Sequence, residues 1–192
     1  TDGQIYLSPS LFELGVLPAV DVGQSVSRVG GKAQRAAYRA VAGDLKLAYA
    51  HFEELETFAR FGARVDEDTR QRIAHGRRIR ACLKQPEFAP VSMAAQVAIL
   101  LALTAGLFDA VPLERMPEAE RTVREAAATI PEDVIERLVS AETLSEADRR
   151  TIVDIGRVAL AGFLPQPDPR PTPGGSREPR APESASQEAL QT

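Results

Sequence analysis

The stretch Pro18-Ala19-Val20-Asp21-Val22-Gly23-Gln24-Ser25-Val26-Ser27-Arg28-Val29-Gly30-Gly31 holds the residue types best suited to chemistry. An apolar run delivers a loop that carries two hydroxyls, one arginine and a glycine pair. Arg28 offers a planar fork of donors that matches phosphate oxygens, and it stays charged at any working pH. Gly30 and Gly31 permit positive backbone dihedrals or the close approach of another backbone. Ser25 and Ser27, two apart on an extended loop, can orient the fork or join a polar interface. On spacing alone, a surface turn with an ordinary arginine fits these residues equally well. The chain contains no Gly-x-x-x-x-Gly-Lys-Ser/Thr loop and so has no phosphate cradle of its own. If Arg28 acts on a nucleotide, it acts on one held by another chain.

Other reactive side chains are less specific. His75 lies among Arg70, Arg72, Arg77, Arg78 and Arg80, a pattern open to a phosphate or lipid-headgroup patch. Glu67 and Asp68 stand nearby, so a solvated helical face is the simpler expectation. Glu53, Glu54 and Glu56 cluster without metal-ligand spacing or a histidine partner, and they too read as a solvated face. His51 and His75 alone make no metal site, and none is expected. Cys82, the one cysteine, excludes an internal disulfide and reads as a small, partly buried apolar residue.

These residues need elements to hold them. The 192 residues are 44% hydrophobic but only 5% aromatic, with no tryptophan. Such a composition favours helices over a sandwich or barrel. A net charge of -4 gives no basic face for nucleic acid. No apolar run is long enough to span a bilayer, so any membrane association is indirect.

Three zones follow in order. Residues 1–31 alternate short apolar stretches with turns: Gln4–Leu7 reads as a strand, Ser8-Pro9-Ser10 as a turn, and Pro18–Val22 as a second strand ending at Gly23. Two strands with a small apolar face do not stand alone in water. This zone is therefore expected to be the remnant edge of a larger α/β domain. Starting at Thr1 in mid-pattern, the chain reads as a piece of something longer.

Residues 32–164 read as a helical bundle. Val41, Leu45, Ala48, Phe52, Leu55 and Ala59 form one long amphipathic stripe, with Gly43 marking a kink or a close helix contact. Asp66 caps a second helix through Lys84, and Ser92 a third, through Gly106, that is apolar nearly all round. Shorter helices are expected at about 118–129 and 131–141. Ser145 with Asp148 opens a last one that runs to about Gly162. Residues 165–192 hold 7 of the 14 prolines and almost no aliphatic side chains, so a disordered Pro-rich tail is expected there. The fold class is thus mainly α.

The stretch from Pro18 to Ser27 resembles the signature shared by the alpha and beta subunits of F-type ATP synthases. Its continuation, Ser-Val-Ser-Arg-Val-Gly-Gly-x-Ala-Gln at Ser25–Gln34, resembles alpha in particular. Thr1–Leu7, Phe58–Gly62, Leu83–Gln85, Gln96-Val97 and Val111–Arg115 follow in the family's order and spacing, so the likeness covers roughly Thr1 to Phe163.

The resemblance implies a ring in which alpha and beta subunits alternate around a gamma rotor, with a delta or peripheral-stalk partner. It also implies peripheral attachment to the cytoplasmic side of a bacterial inner membrane. ATP or ADP with magnesium would be bound by the assembled complex, and ATP synthesis coupled to proton or sodium transport. Arg28 would reach the gamma-phosphate of a nucleotide on beta, with Ser25 and Ser27 as the further catalytic candidates. Gln85 matches a family glutamine near the adenine of the non-catalytic site, whereas Glu87 stands where a second glutamine is usual. Leu17 stands where an arginine normally precedes the proline, and Asp21 replaces the common asparagine. These departures and the tail point to a divergent branch. The isolated chain, lacking a phosphate cradle, is not expected to turn over ATP. The alternative is a non-catalytic helical interaction domain that only docks partner subunits.

Overall fold

The computed structural model describes residues 2–60, 65–140 and 143–164. Helix α5 (Met93–Thr104) has no polar face, so it lies where every side is covered. Ala95, Val97, Ala98, Ile99, Leu101, Ala102 and Leu103 are all buried. Ser92 caps it, accepting from the Ala95 N–H at 3.3 Å. Around it pack α3 (Ala36–Arg60), α6 (Met116–Ala126) and α8 (Glu146–Leu160), with α4 (Glu67–Cys82) against α3 and α7 (Glu132–Val139) between α6 and α8 in sequence.

The apolar stripe of α3 is the expected one. Val41, Leu45 and Phe52 are buried, while Ala48, Leu55 and Ala59 sit partly buried at its border. Gly43 behaves differently from the expectation: a Cβ there would meet no atom within 4 Å, so it marks no close helix contact. The close approach is at Gly76 of α4. A Cβ on Gly76 would fall 2.0 Å from Cγ of Phe52, so only glycine lets α4 lie this near α3.

That proximity overturns two solvated-face expectations. Arg80, expected to face water, keeps 15% side-chain exposure and stacks its guanidinium 4.4 Å from the Phe52 ring centroid. It donates to Glu56 Oε2 at 2.8 Å and to the Tyr49 hydroxyl at 3.2 Å. Glu56, also expected to be solvated, is only 12% exposed and further paired with Arg77 and Arg60. Burial pushes its carboxyl pKa up, but the Arg80 bond and the other guanidinium groups outweigh burial and hold it below the usual range. Arg78 ties α4 to the segment after α5, donating to the Val111 carbonyl from Nε at 3.2 Å and Nη2 at 2.9 Å.

The remaining helix starts agree with the sequence. Asp66 accepts from the Thr69 N–H at 2.8 Å and Ser145 from the Asp148 N–H at 3.1 Å. Asp148 does more than its cap role. It is buried, and it accepts from Arg137 of α7 at 2.7 and 3.0 Å, stitching α7 to α8. Phe163, in the turn that follows α8, carries the Arg115 guanidinium at 4.3 Å from its ring centroid.

In the first zone, β1 (Gly3–Leu7) and β2 (Val20–Ser27) form an antiparallel pair. Ser8-Pro9-Ser10 is not a simple turn. Ser8 Oγ accepts from the Leu11 N–H at 3.3 Å and Pro9 takes the first position of a short helix, α1 (Pro9–Glu13). β2 also runs past Gly23 to Ser27. Leu11, Val16 and Ala19 make a small cluster separate from the bundle core, while Ile5, Leu7 and Phe12 stay exposed. The expected Pro-rich tail and the Phe61-Gly62 pair lie outside the described residues. No helix among the described residues is long and apolar enough to cross a membrane.

Two stability changes follow from this packing. Gly43→Ala, on an exposed and open helix position, is expected to raise unfolding free energy by about 1 kcal/mol in urea titration. Asp148→Asn is expected to lower it by about 1–3 kcal/mol at neutral pH. The Arg137 bonds, with help from Ser145, hold the Asp148 carboxyl below the usual range. Its contribution is therefore present above that range and lost as pH falls through the lowered pKa, so the difference between variant and parent should shrink in acid.

Candidate functional site

Arg28 leaves the end of β2 at the rim of an irregular ladder. Gly3 pairs with Ser27 and Gln4 with Val26, but Tyr6 pairs with Asp21. Four residues, Val22 to Ser25, thus stand opposite Ile5 alone. A bulge of this size leaves backbone groups without ladder partners, and they must find others.

Side chains supply them. The Asp21 carboxylate accepts from the Gln24 backbone N–H at 2.8 Å and from its side-chain amide at 2.9 Å. Ser25 Oγ donates to the Asp21 carbonyl and accepts from the Tyr6 N–H at 3.1 Å. Lys46 Nζ of α3 donates to the Ser25 carbonyl at 3.0 Å. Val22, within the bulge, packs on the bundle core. Ser27 Oγ accepts from the Gly30 N–H at 2.9 Å, closing the turn into the short helix α2 (Gly30–Ala33). A Cβ on Gly30 would lie 2.5 Å from that hydroxyl, so the turn closes this tightly only with glycine there.

Arg28 itself lies at the surface. Its backbone N–H donates to the Asp2 carbonyl at 2.9 Å and its guanidinium pairs with the Asp2 carboxylate. The side chain is nevertheless 79% exposed. A guanidinium held by an exposed carboxylate is presented in the geometry that phosphate oxygens also accept. Ser25 and Ser27 do not aim outward with it; both hydroxyls are spent on backbone groups, of Asp21 and Tyr6 for Ser25 and of Gly30 for Ser27.

Gln85 and Glu87 lie apart from this loop, beyond the end of α4. The Gln85 N–H donates to the Leu17 carbonyl at 2.9 Å and its side-chain amide to the Ala89 carbonyl at 3.0 Å. Leu17 and Gln85, separated by 68 positions, are thereby adjacent, near the start of β2, whereas Arg28 is at its end. A cleft of about 310 Å³ beside Gln85 is lined by Tyr38, Cys82, Gln96, Glu120 and Arg124; Glu87 is outside its wall. Burial pushes the Cys82 thiol up to about 12, which leaves it protonated and unreactive, as the sequence reading expected. His75 is not simply solvated: its Nδ1 lies 2.7 Å from Asp109 Oδ1. Among the described residues, no group of three or more histidine, cysteine, aspartate or glutamate side chains could hold a metal ion.

Sequence reasoning missed Asp2 and Lys46, whose partners are 26 and 21 positions away. Asp21 carried a local signal, since an aspartate three residues before an amide it can bind is a common turn device. Glu53 of α3 approaches the same region. Burial, and then the Asp21 charge, raise its carboxyl pKa. A raised pKa favours the folded state at low pH and costs stability as pH rises through it. Glu53→Gln is therefore expected to raise Tm at neutral pH, with the gain fading below the ordinary glutamate range in a pH series of melts.

Residues 34–157 match the family described as ATP synthase alpha/beta chain, C terminal domain. The chain is 73% identical over 173 residues to ATP synthase subunit alpha 2 of Albidiferax ferrireducens, covering 90% of this chain and 32% of that relative. It is 71% identical over 167 residues to subunit alpha 2 of Polaromonas naphthalenivorans, covering 87% and 32%. It is 69% identical over 168 residues to subunit alpha 1 of a Marinomonas species, covering 88% and 33%. The chain thus spans about a third of the length of these curated relatives.

Proposed function

Because the chain belongs to the ATP synthase alpha subunits, as their C-terminal portion, we propose that it lends Arg28 to a nucleotide site on a neighbouring beta subunit. The observation that carries this reading is the exposed Arg28 guanidinium at the end of a loop whose backbone is pinned at several points. A group that stabilises a transition state must be placed before the reaction begins, and a pinned loop achieves that. The nucleotide and its magnesium belong to the partner's cradle. Arg28 contributes charge and a bidentate fork to the equatorial oxygens of the phosphoryl group in transfer. The Asp2 carboxylate holds the fork until phosphate oxygens replace it.

Ser25 and Ser27 act through the loop and not on phosphate. Ser25 joins two backbone groups across the bulge, and Ser27 closes the turn that follows Arg28. The helical bundle serves assembly with the beta subunits of an alternating ring, and with the gamma rotor and the delta or peripheral stalk. The complex works as a proton- or sodium-coupled translocase attached peripherally to the cytoplasmic side of a bacterial inner membrane. The second nucleotide site near Gln85 is altered, because Leu17 and Glu87 replace polar contacts expected there. The relatives named alpha 1 and alpha 2 accord with a divergent branch.

Arg28→Ala in the full-length subunit, assembled with its partners, tests the reading. Multi-site ATP hydrolysis is expected to fall by about 10³-fold or more while native mass spectrometry shows an intact complex. An unchanged rate would sink the catalytic reading and leave a domain that only docks partner subunits.

A further inference from the structure

The Arg28 loop has an anchor in the bundle as well as in the hairpin. Three devices that hold the bulge belong to the hairpin itself: the Asp21 carboxylate on the Gln24 N–H, and the Ser25 hydroxyl on the Asp21 carbonyl and the Tyr6 N–H. They give the bulge its internal shape but say nothing about where it sits relative to the helices. Val22 supplies an apolar contact with the core. Such a contact is non-directional and tolerates rotation. Lys46 supplies the directional one, because Nζ donates to the Ser25 carbonyl at 3.0 Å from α3, where Lys46 directly follows the buried Leu45.

We propose that Lys46 is a positioning residue for Arg28, the polar tie by which the helical bundle sets the direction in which the guanidinium leaves the hairpin. The proposal rests on the reading of Arg28 as a trans-acting arginine. The Ser25 carbonyl is three residues before Arg28, and in that span Ser27 is already committed to Gly30. Val26 and Ser27 pair with Gln4 and Gly3, so this run moves with the ladder, and a tilt of the hairpin set at the Ser25 carbonyl passes on to the arginine, whose long side chain enlarges it at the guanidinium. Stability does not account for the bond, since an exposed ammonium donating to a neutral carbonyl exchanges one hydrogen bond with water for another. Its effect is on orientation, and small displacements of a reacting group are costly in rate.

The test uses the full-length alpha subunit in the assembled complex, with ATP as substrate. Lys46→Met keeps the length of the stem and removes the donor. It is expected to lower kcat about tenfold, leave KM for ATP within about twofold, and leave assembly and thermal unfolding unchanged. Lys46→Arg reaches the same carbonyl and is expected to restore most of kcat. The double variant Arg28→Ala with Lys46→Met should be no slower than Arg28→Ala alone. A parental rate in Lys46→Met beside a slow Arg28→Ala overturns the positioning role and leaves the arginine reading standing. Equal losses in Lys46→Met and Lys46→Arg also overturn it. A parental rate in Arg28→Ala removes the arginine reading itself.

Discussion

Helix α5 cannot face water on any side, and the bundle is arranged around that constraint. Its buried residues run from Ala95 to Leu103 with only short gaps. A helix of this kind must be enclosed, so α3, α6 and α8 take positions around it and each needs only one apolar stripe. Their other faces then become available for ion pairs. The Arg80–Glu56 pair shows what happens where two such faces meet. Gly76 brings α4 against Phe52, and the charges that would have been solvated are pressed together above an aromatic ring. Removing Glu56 would leave the little-exposed Arg80 charge with the Tyr49 hydroxyl as its remaining hydrogen-bond acceptor, whereas Glu56 has Arg77 and Arg60 besides.

The hairpin obeys a different rule. Its backbone, not its side chains, sets the requirement, because four residues on β2 face a single residue on β1. The Gln24 N–H and the Asp21 carbonyl are answered by polar side chains close at hand, and the Ser25 carbonyl by a lysine on another element. The serine that sequence pattern marks as functional is in this view a piece of backbone hydrogen bonding made from a side chain. On the proposed reading of Arg28, its value to chemistry is indirect and lies in the stiffness it gives to the arginine loop.

Local signals were the ones legible in the sequence. Asp66, Ser92 and Ser145 announce helix starts because a cap and its target are three residues apart. The all-apolar pattern of α5 located the centre of the bundle for a similar reason. What failed involved distant partners. Gly23 looked like the end of a strand, since a glycine after an apolar run usually is one, but β2 resumes pairing with Gln4 and Gly3 beyond the bulge. Arg80 and Glu56 looked solvated because periodicity records charge and not the neighbour 24 positions away. For the candidate site, motif resemblance singled out Arg28, Ser25 and Ser27, while Asp2 and Lys46 became visible only with the tertiary arrangement.

The small Leu11, Val16 and Ala19 cluster is separate from the main core. A segment with so small an apolar cluster of its own has little burial to resist local opening, and Val22 gives it an apolar contact with the bundle core. Ile5, Leu7 and Phe12 add little to that burial, since they are exposed. The arginine is thus mounted on the part of the chain with the smaller apolar core, and its placement rests on hydrogen bonds more than on burial.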